Sequence, residues 1–138
     1  MPDWYKPIDY LENMNMAYAT ADLVVCRSGA STLAELSACG LPGILIPYPF
    51  AYADHQKLNA ESVARRRAAL VVDQKDLSGA TLAGMIMDLK SDREKLKAMA
   101  RASAALGRPD AAERVACLAL DIAEAFESRK RERKKPRN

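Results

Sequence analysis

The sequence predicts an α/β fold: a parallel sheet with flanking helices and a C-terminal helical segment. Three observations carry this. Short runs rich in β-branched apolar residues alternate with helix-period segments. Each run is apolar throughout, as strands covered on both faces are. After the third run only helical patterns follow. At 138 residues and 49% hydrophobic, the chain suits one globular domain.

The elements follow in order. Asp9 to Thr20 reads as a helix, with Leu11, Met14, Tyr18 and Ala21 near helical spacing. Leu23-Val24-Val25-Cys26 is a buried strand and Arg27 to Ala30 a turn. Thr32 to Cys39 reads as a short helix ending at Gly40, with Pro42 beyond it. Ile44 to Ile46 is a second strand, stopped by Pro47 and Pro49. Tyr48 to Ala53 is a loop, and Asp54 opens a helix to about Arg66. Ala69 to Val72 is the third strand. Ser78 to Leu89, Asp92 to Leu106 and Asp110 to Phe126 are three successive helices. No internal repeat is present. Three strands are few for such a sheet, and a strand-loop-helix unit is expected ahead of Trp4, so the chain reads as starting inside a domain.

Composition narrows the function. No stretch approaches the roughly 20 apolar residues of a membrane span, and the N-terminus lacks a basic region followed by an apolar run. Cys26, Cys39 and Cys117 form no CxxC pair and read as buried free thiols. One His and no zinc-like spacing argue against a metal site, and no cofactor motif is legible. Residues 129–138 hold seven basic residues and one acidic, so the remainder sums to −3 within a total of +3. The expected division is a folded domain over 1–127 and a basic disordered tail over 128–138. That tail is either a solvated end or a contact for anionic lipid. No interleaved aromatic residue supports nucleic-acid binding.

Three constellations could carry chemistry. Arg27-Ser28-Gly29-Ala30-Ser31-Thr32 joins a strand to a helix start, where free backbone N–H groups and the helix dipole favour an anion. An ordinary βα turn reads equally from the same residues. Thr32-x-x-Glu35 fits a capping box; the alternative is that the Glu35 carboxylate meets the hydroxyls of a bound ribose. The Pro47 to Ala60 segment leaves a strand at its carboxyl end, where ligands sit in open α/β sheets. His55, Gln56 and Asn59 share the following helix start and suit sugar hydroxyls. The plainer reading is an exposed helix start capped by Asp54. No Ser/His/Asp triad or carboxylate pair is legible, and nothing in the sequence orients His55 as a base.

Taken together, these segments resemble the C-terminal domain of the MurG family of glycosyltransferases. The resemblance rests on Met14-x-x-Ala17-Tyr18-x-x-Ala21-Asp22, the run Leu23 to Ala30, Glu35, Gly40-Leu41-Pro42, Asp54-His55-Gln56-x-x-Asn59-Ala60, and Pro109 to Val115. It covers roughly Tyr10 to Ala125. It implies a partial Rossmann-like domain of the two-domain GT-B architecture, acting on UDP-N-acetylglucosamine and a lipid-linked acceptor to make lipid II for peptidoglycan. It implies a cytoplasmic enzyme peripheral to the inner face of the plasma membrane. It places the Leu11 backbone at the uracil and the amides of Ser28, Gly29, Ala30 and Ser31 at the diphosphate. Glu35 falls at the ribose, and His55, Gln56 and Asn59 at the acetylglucosamine. Two departures matter: the family's glycine-rich loop and its N-terminal acceptor domain have no counterpart here. The expectation is therefore no catalytic residue in this chain and no transfer by it alone. The alternative is a separate donor-binding subunit of a two-chain lipid-linked N-acetylglucosaminyltransferase.

Overall fold

A computed structural model describes residues 2–133 and divides the chain into two units, one through Gly107 and one from Arg108 onward. The first unit holds a parallel sheet of β1 (Val24–Cys26), β2 (Gly43–Leu45) and β3 (Ala69–Val71), in that spatial order. Val24 pairs with Gly43 and Gly43 with Ala69, so the strands run in register. Five helices accompany them: α1 (Met14–Thr20), α2 (Ala30–Cys39), α3 (His55–Arg65), α4 (Gly79–Ser91) and α5 (Arg93–Leu106).

Strand alternation sorts the core onto two faces. Ile44 and Val72 point one way and pack with Leu89 of α4 and Met99 of α5. Leu45 and Ala69 point the other way and meet Ala60 of α3, with Leu33 of α2 and Val63 beside them. Ile44, Leu45 and Leu89 are fully buried. For β2 this is the two-sided burial expected of an apolar parallel strand. β1 is not the buried strand expected, since Val24 and Cys26 are only half-buried and Val25 is exposed. Tyr18 of α1 extends the second face by packing with Leu36 and Leu41.

The end of α2 shows why this stretch folds as it does. Gly40 takes a left-handed conformation, with φ 66°. Its N–H reaches Ser37 O at 3.1 Å, and the Leu41 N–H reaches Leu36 O at 2.9 Å. This is a Schellman closure with its usual apolar contact, here Leu36 against Leu41. A side chain at Gly40 would also crowd Ala104 of α5, at 3.2 Å. The same residue thus stops the helix and admits α5 against it.

Several boundaries differ from the sequence expectation. Residues 9–13 are not helical, and α1 begins after Asn13, which caps it with no side-chain hydrogen bond. Tyr10 is exposed, so the apolar residues ahead of Met14 have no face to bury and gain nothing from helix formation. A 3-10 turn, Tyr52–Asp54, precedes α3, and a second, Gln74–Asp76, follows β3. Cys39 and Cys117 are exposed rather than buried, while Cys26 is half-buried and burial raises its thiol pKa.

The second unit is one helix, α6 (Ala111–Arg133). The boundary expected after residue 127 therefore falls inside a helix. The sequence of the last turns, with Glu127 4.0 Å from Lys130, contains strong helix formers and no Gly or Pro. The rest of the basic tail, 134–138, lies outside the described residues.

Candidate functional site

The chain leaves β1 at its carboxyl end through Arg27, Ser28 and Gly29 and enters α2 at once. Gly29 is the N-cap, with φ −65° and ψ 146°, and offers no side chain to the helix. The first intrahelical bond runs from Leu33 N–H to Gly29 O at 3.0 Å. The N–H groups of Ala30, Ser31 and Thr32 therefore precede the helical ladder, and no acidic residue sits in the first turn. Such an end carries partial positive charge with nothing to neutralise it. A side chain at Gly29 would find only Thr32 Oγ1 near, at 3.9 Å, so the approach is open.

This corrects the capping-box expectation. Because the helix begins two residues before Thr32, Thr32 occupies the third helical position and Glu35 the sixth. A carboxylate there lies too far along the helix to reach back to the N-cap amide. Glu35 instead accepts a hydrogen bond from Tyr18 Oη, 2.9 Å from its Oε2. Tyr18 is buried, at 9% exposure, whereas Glu35 is exposed. Burial first, and then the bond to Glu35 and its charge, push the Tyr18 phenol up to about 12.

The second strand-to-helix connection is tied to the first by polar bonds. Ser28 is fully buried and its hydroxyl donates to Gln56 O at 2.7 Å. Asn59 Nδ2 donates to Ser28 O at 3.1 Å, and Tyr48 N–H donates to Gln56 Oε1 at 3.0 Å. The two bonds to Ser28 hold the start of α3 beside the start of α2, and the Tyr48–Gln56 bond closes the loop that leads into α3. They leave Asn59 Oδ1 and Gln56 Nε2 as the groups available to a ligand. His55 Nδ1 lies 2.7 Å from the Tyr52 carbonyl, which can only accept. Nδ1 is therefore the donor in this contact, which leaves Nε2 uncommitted on an exposed ring.

The start of α3 is conformationally costly. Ala53 and Asp54 both have positive φ, 49° and 52°. Neither is glycine, and each costs about 1 kcal/mol or more in that region. Asp54 makes no side-chain cap, contrary to the plainer reading of this segment.

The structure thus gathers Ser28, Gly29, Ala30 and Ser31 at one helix start, Glu35 along the same helix, and His55, Gln56 and Asn59 at the adjoining one. Leu11 lies in the irregular segment ahead of α1, and no backbone hydrogen bond among the described residues ties it to this group. Arg27 is the residue that sequence reasoning passed over. Its guanidinium donates to Ile46 O and Pro47 O, both at 3.2 Å, and to Gln74 Oε1 at 2.7 Å. It also lies 5.6 Å from the Tyr48 ring centroid. It joins the loops after all three strands. The available signal was a cation directly following an apolar parallel strand. Among the described residues, no group of three or more His, Cys, Asp or Glu side chains could hold a metal ion.

The chain is similar to known proteins in sequence and in fold. A family model described as the glycosyltransferase family 28 C-terminal domain matches residues 2–115. A UDP-N-acetylglucosamine--N-acetylmuramyl-(pentapeptide) pyrophosphoryl-undecaprenol N-acetylglucosamine transferase of Mycolicibacterium smegmatis is 49% identical over 121 residues, covering 88% of this chain and 31% of that protein. A protein of the same name from Moorella thermoacetica is 50% identical over 116 residues, covering 84% of this chain and 31% of its own length. The crystal structure of Acinetobacter baumannii MurG superposes with a TM-score of 0.73 at 32% identity, over 80% of this chain and 33% of that one. The chain therefore spans about a third of the length of the relatives it matches.

Proposed function

Since the chain belongs to the glycosyltransferase family 28 C-terminal domain family, we propose that it is the donor-binding part of a transferase that takes N-acetylglucosamine from its UDP carrier. The acceptor in this reading is the lipid-linked N-acetylmuramyl-pentapeptide pyrophosphate named for its relatives, and the product is lipid II. The observation that carries the reading is the uncapped start of α2 with a carboxylate exposed farther along the same helix. A diphosphate neutralises the helix end, and its amides supply hydrogen bonds at no cost of reorganisation. Glu35, free of any capping duty, accepts from the ribose hydroxyls. Nε2 of His55, Nε2 of Gln56 and Oδ1 of Asn59 face the acetylglucosamine. The Leu11 backbone meets the uracil.

The transfer itself needs an acceptor site and a base. This chain supplies neither in the present reading, so it gives no product alone. The lipid-linked acceptor places the enzyme on the inner face of the plasma membrane. No helix among the described residues is long and apolar enough to cross a membrane. In this reading attachment comes from the acceptor and from the basic residues 129–137, by attraction to anionic lipid. Loss of co-sedimentation with anionic vesicles on removal of residues 129–138 is the check on that attachment.

Glu35→Gln tests the donor site. Calorimetric titration of the chain with UDP-N-acetylglucosamine should show affinity falling about tenfold or more, with thermal stability nearly unchanged, because a charge-assisted hydrogen bond is worth roughly 1.5–3 kcal/mol. Unchanged affinity would remove Glu35 from the site.

A further inference from the structure

Glu35 is the one candidate ligand on an exposed helix surface whose side chain is held by another side chain. A glutamate has three rotatable bonds, and an unrestrained one loses rotamer freedom when a ligand fixes it. The Tyr18 hydroxyl is placed to prevent that loss. Its ring is buried between α1 and α2 against Leu36 and Leu41, so the phenol has little freedom of its own. Its Oη donates to Oε2 of Glu35 at 2.9 Å. No other hydrogen bond or ion pair reaches Glu35 among the described residues, so Oε1 keeps its lone pairs for an incoming donor.

We propose that Tyr18 is a positioning residue that fixes the Glu35 carboxylate for a vicinal diol, and so sets the preference of this site for ribonucleotides over deoxyribonucleotides. The inference rests on the donor-binding reading above and deepens it. Tyr18 touches no ligand itself and acts only through Glu35. A ribose offers two adjacent hydroxyl donors, and one carboxylate with a fixed plane can accept from both. A 2′-deoxyribose offers one. Discrimination between the two sugars therefore depends on the orientation of the carboxylate, which a freely rotating side chain supplies poorly. A tyrosine serves better than a cation here. Its hydroxyl donates one hydrogen bond without adding a positive charge beside the carboxylate.

The test compares UDP with 2′-deoxy-UDP, titrated calorimetrically into the full chain and into Tyr18→Phe and Glu35→Gln. Phenylalanine keeps the ring packing and deletes only the donor. The full chain should prefer UDP. Tyr18→Phe should lower that preference by roughly 2- to 10-fold, the cost of immobilising one free side chain, while 2′-deoxy-UDP affinity changes less. Glu35→Gln should lower the preference at least as far. A merely structural role for Tyr18 would weaken both nucleotides equally, and that result overturns the inference. If Glu35→Gln abolishes the preference and Tyr18→Phe leaves it intact, the inference fails and the Glu35 assignment stands. If Glu35→Gln leaves the preference intact, the Glu35 assignment fails and the inference with it. A chain that binds neither nucleotide at millimolar concentration overturns the donor-binding reading, and this inference as well.

Discussion

Three helix starts in the first unit solve the same problem in two ways. At α4, Ser78 Oγ accepts from the Thr81 N–H at 3.0 Å, and at α5, Asp92 Oδ1 accepts from the Lys95 N–H at 2.9 Å. At α2, Gly29 offers nothing. The first two helices satisfy their own leading amides and are finished as structure. The third leaves its amides exposed at the carboxyl end of the sheet. It is anchored elsewhere, by the Tyr18–Glu35 bond on its side and the Schellman closure at its far end. The starts of α1 and α3 also lack a side-chain cap, at Asn13 and Asp54, so a missing cap alone marks no ligand. At α2 it coincides with the carboxyl end of β1 and an open approach at Gly29.

The sharpest way to break this comparison is to give α2 the cap it lacks. Gly29→Asp suits the backbone, whose φ and ψ are those of an ordinary N-cap. The new side chain has room, with its nearest neighbour 3.9 Å away. Stability should hold or rise by a few tenths of a kcal/mol, since Asp caps better than Gly and loses less backbone entropy on folding. UDP binding should fall by roughly 100-fold or more, about 2.8 kcal/mol, because the carboxylate occupies the amides and repels the diphosphate. Thermal melts beside calorimetry separate the two effects. A variant that is more stable and binds UDP unchanged would mean that the open helix end is not the diphosphate site.

A second effect, of similar ceiling but spread over pH, concerns the anchor that α2 uses instead. The Tyr18 phenol is raised to about 12, by burial above all and then by Glu35, with smaller contributions from Cys26 and Cys39. Below pH 10 it is protonated in both folded and unfolded chains, and its contribution is fully present. Between pH 10 and 12 the unfolded chain releases the proton while the folded chain keeps it. Stability therefore falls as pH rises, by up to about 1.4 kcal/mol per unit and about 2.3 kcal/mol by pH 12. Urea denaturation at pH 9, 10 and 11 measures this, and the difference between the full chain and Tyr18→Phe isolates it. Equal slopes for the two would show that Tyr18 is not an anchor of α2.

The uneven legibility of these features has physical causes. The strands were readable because Leu23 to Cys26, Ile44 to Ile46 and Ala69 to Val72 are apolar runs bounded by Gly, Pro or charge; burial throughout holds only for β2, and Val25 of β1 is exposed. The start of α2 was not. Thr32-x-x-Glu35 satisfies a capping box on paper, but an N-cap at Gly29 gains three more helical residues and needs no side chain. The left-handed pair Ala53–Asp54 has no glycine to announce it. Arg27 bonds to carbonyls 19 and 20 residues away, a relation no local pattern encodes. Of the candidate site, the residue types and their order were visible. Their actual commitments were not: Ser28 gives its hydroxyl to Gln56 O, and Asn59 gives its amide to Ser28 O.

The smallest effects test the other half of the comparison, that the caps of α4 and α5 are structural alone. Asp92→Ala removes a charged acceptor from the start of α5 and should cost about 1 kcal/mol of stability, the usual loss for such a cap. Ser78→Ala should cost the same or slightly less. Its partner Thr81 Oγ1, 2.8 Å from Ser78 Oγ, is exposed and can turn to water. Neither residue lies near the carboxyl ends of β1 and β2 in the chain, and neither shares a hydrogen bond with Arg27, Ser28, Gln56 or Asn59. Both variants should therefore melt a few degrees lower and bind UDP as the full chain does. The contrast with Gly29→Asp is then a double dissociation: removing a cap costs fold and spares ligand, while adding one spares fold and costs ligand. If Asp92→Ala weakened UDP binding as strongly as Gly29→Asp, the loss would reflect general loosening of the sheet. The uncapped start of α2 would then no longer be distinguished from the capped starts beside it.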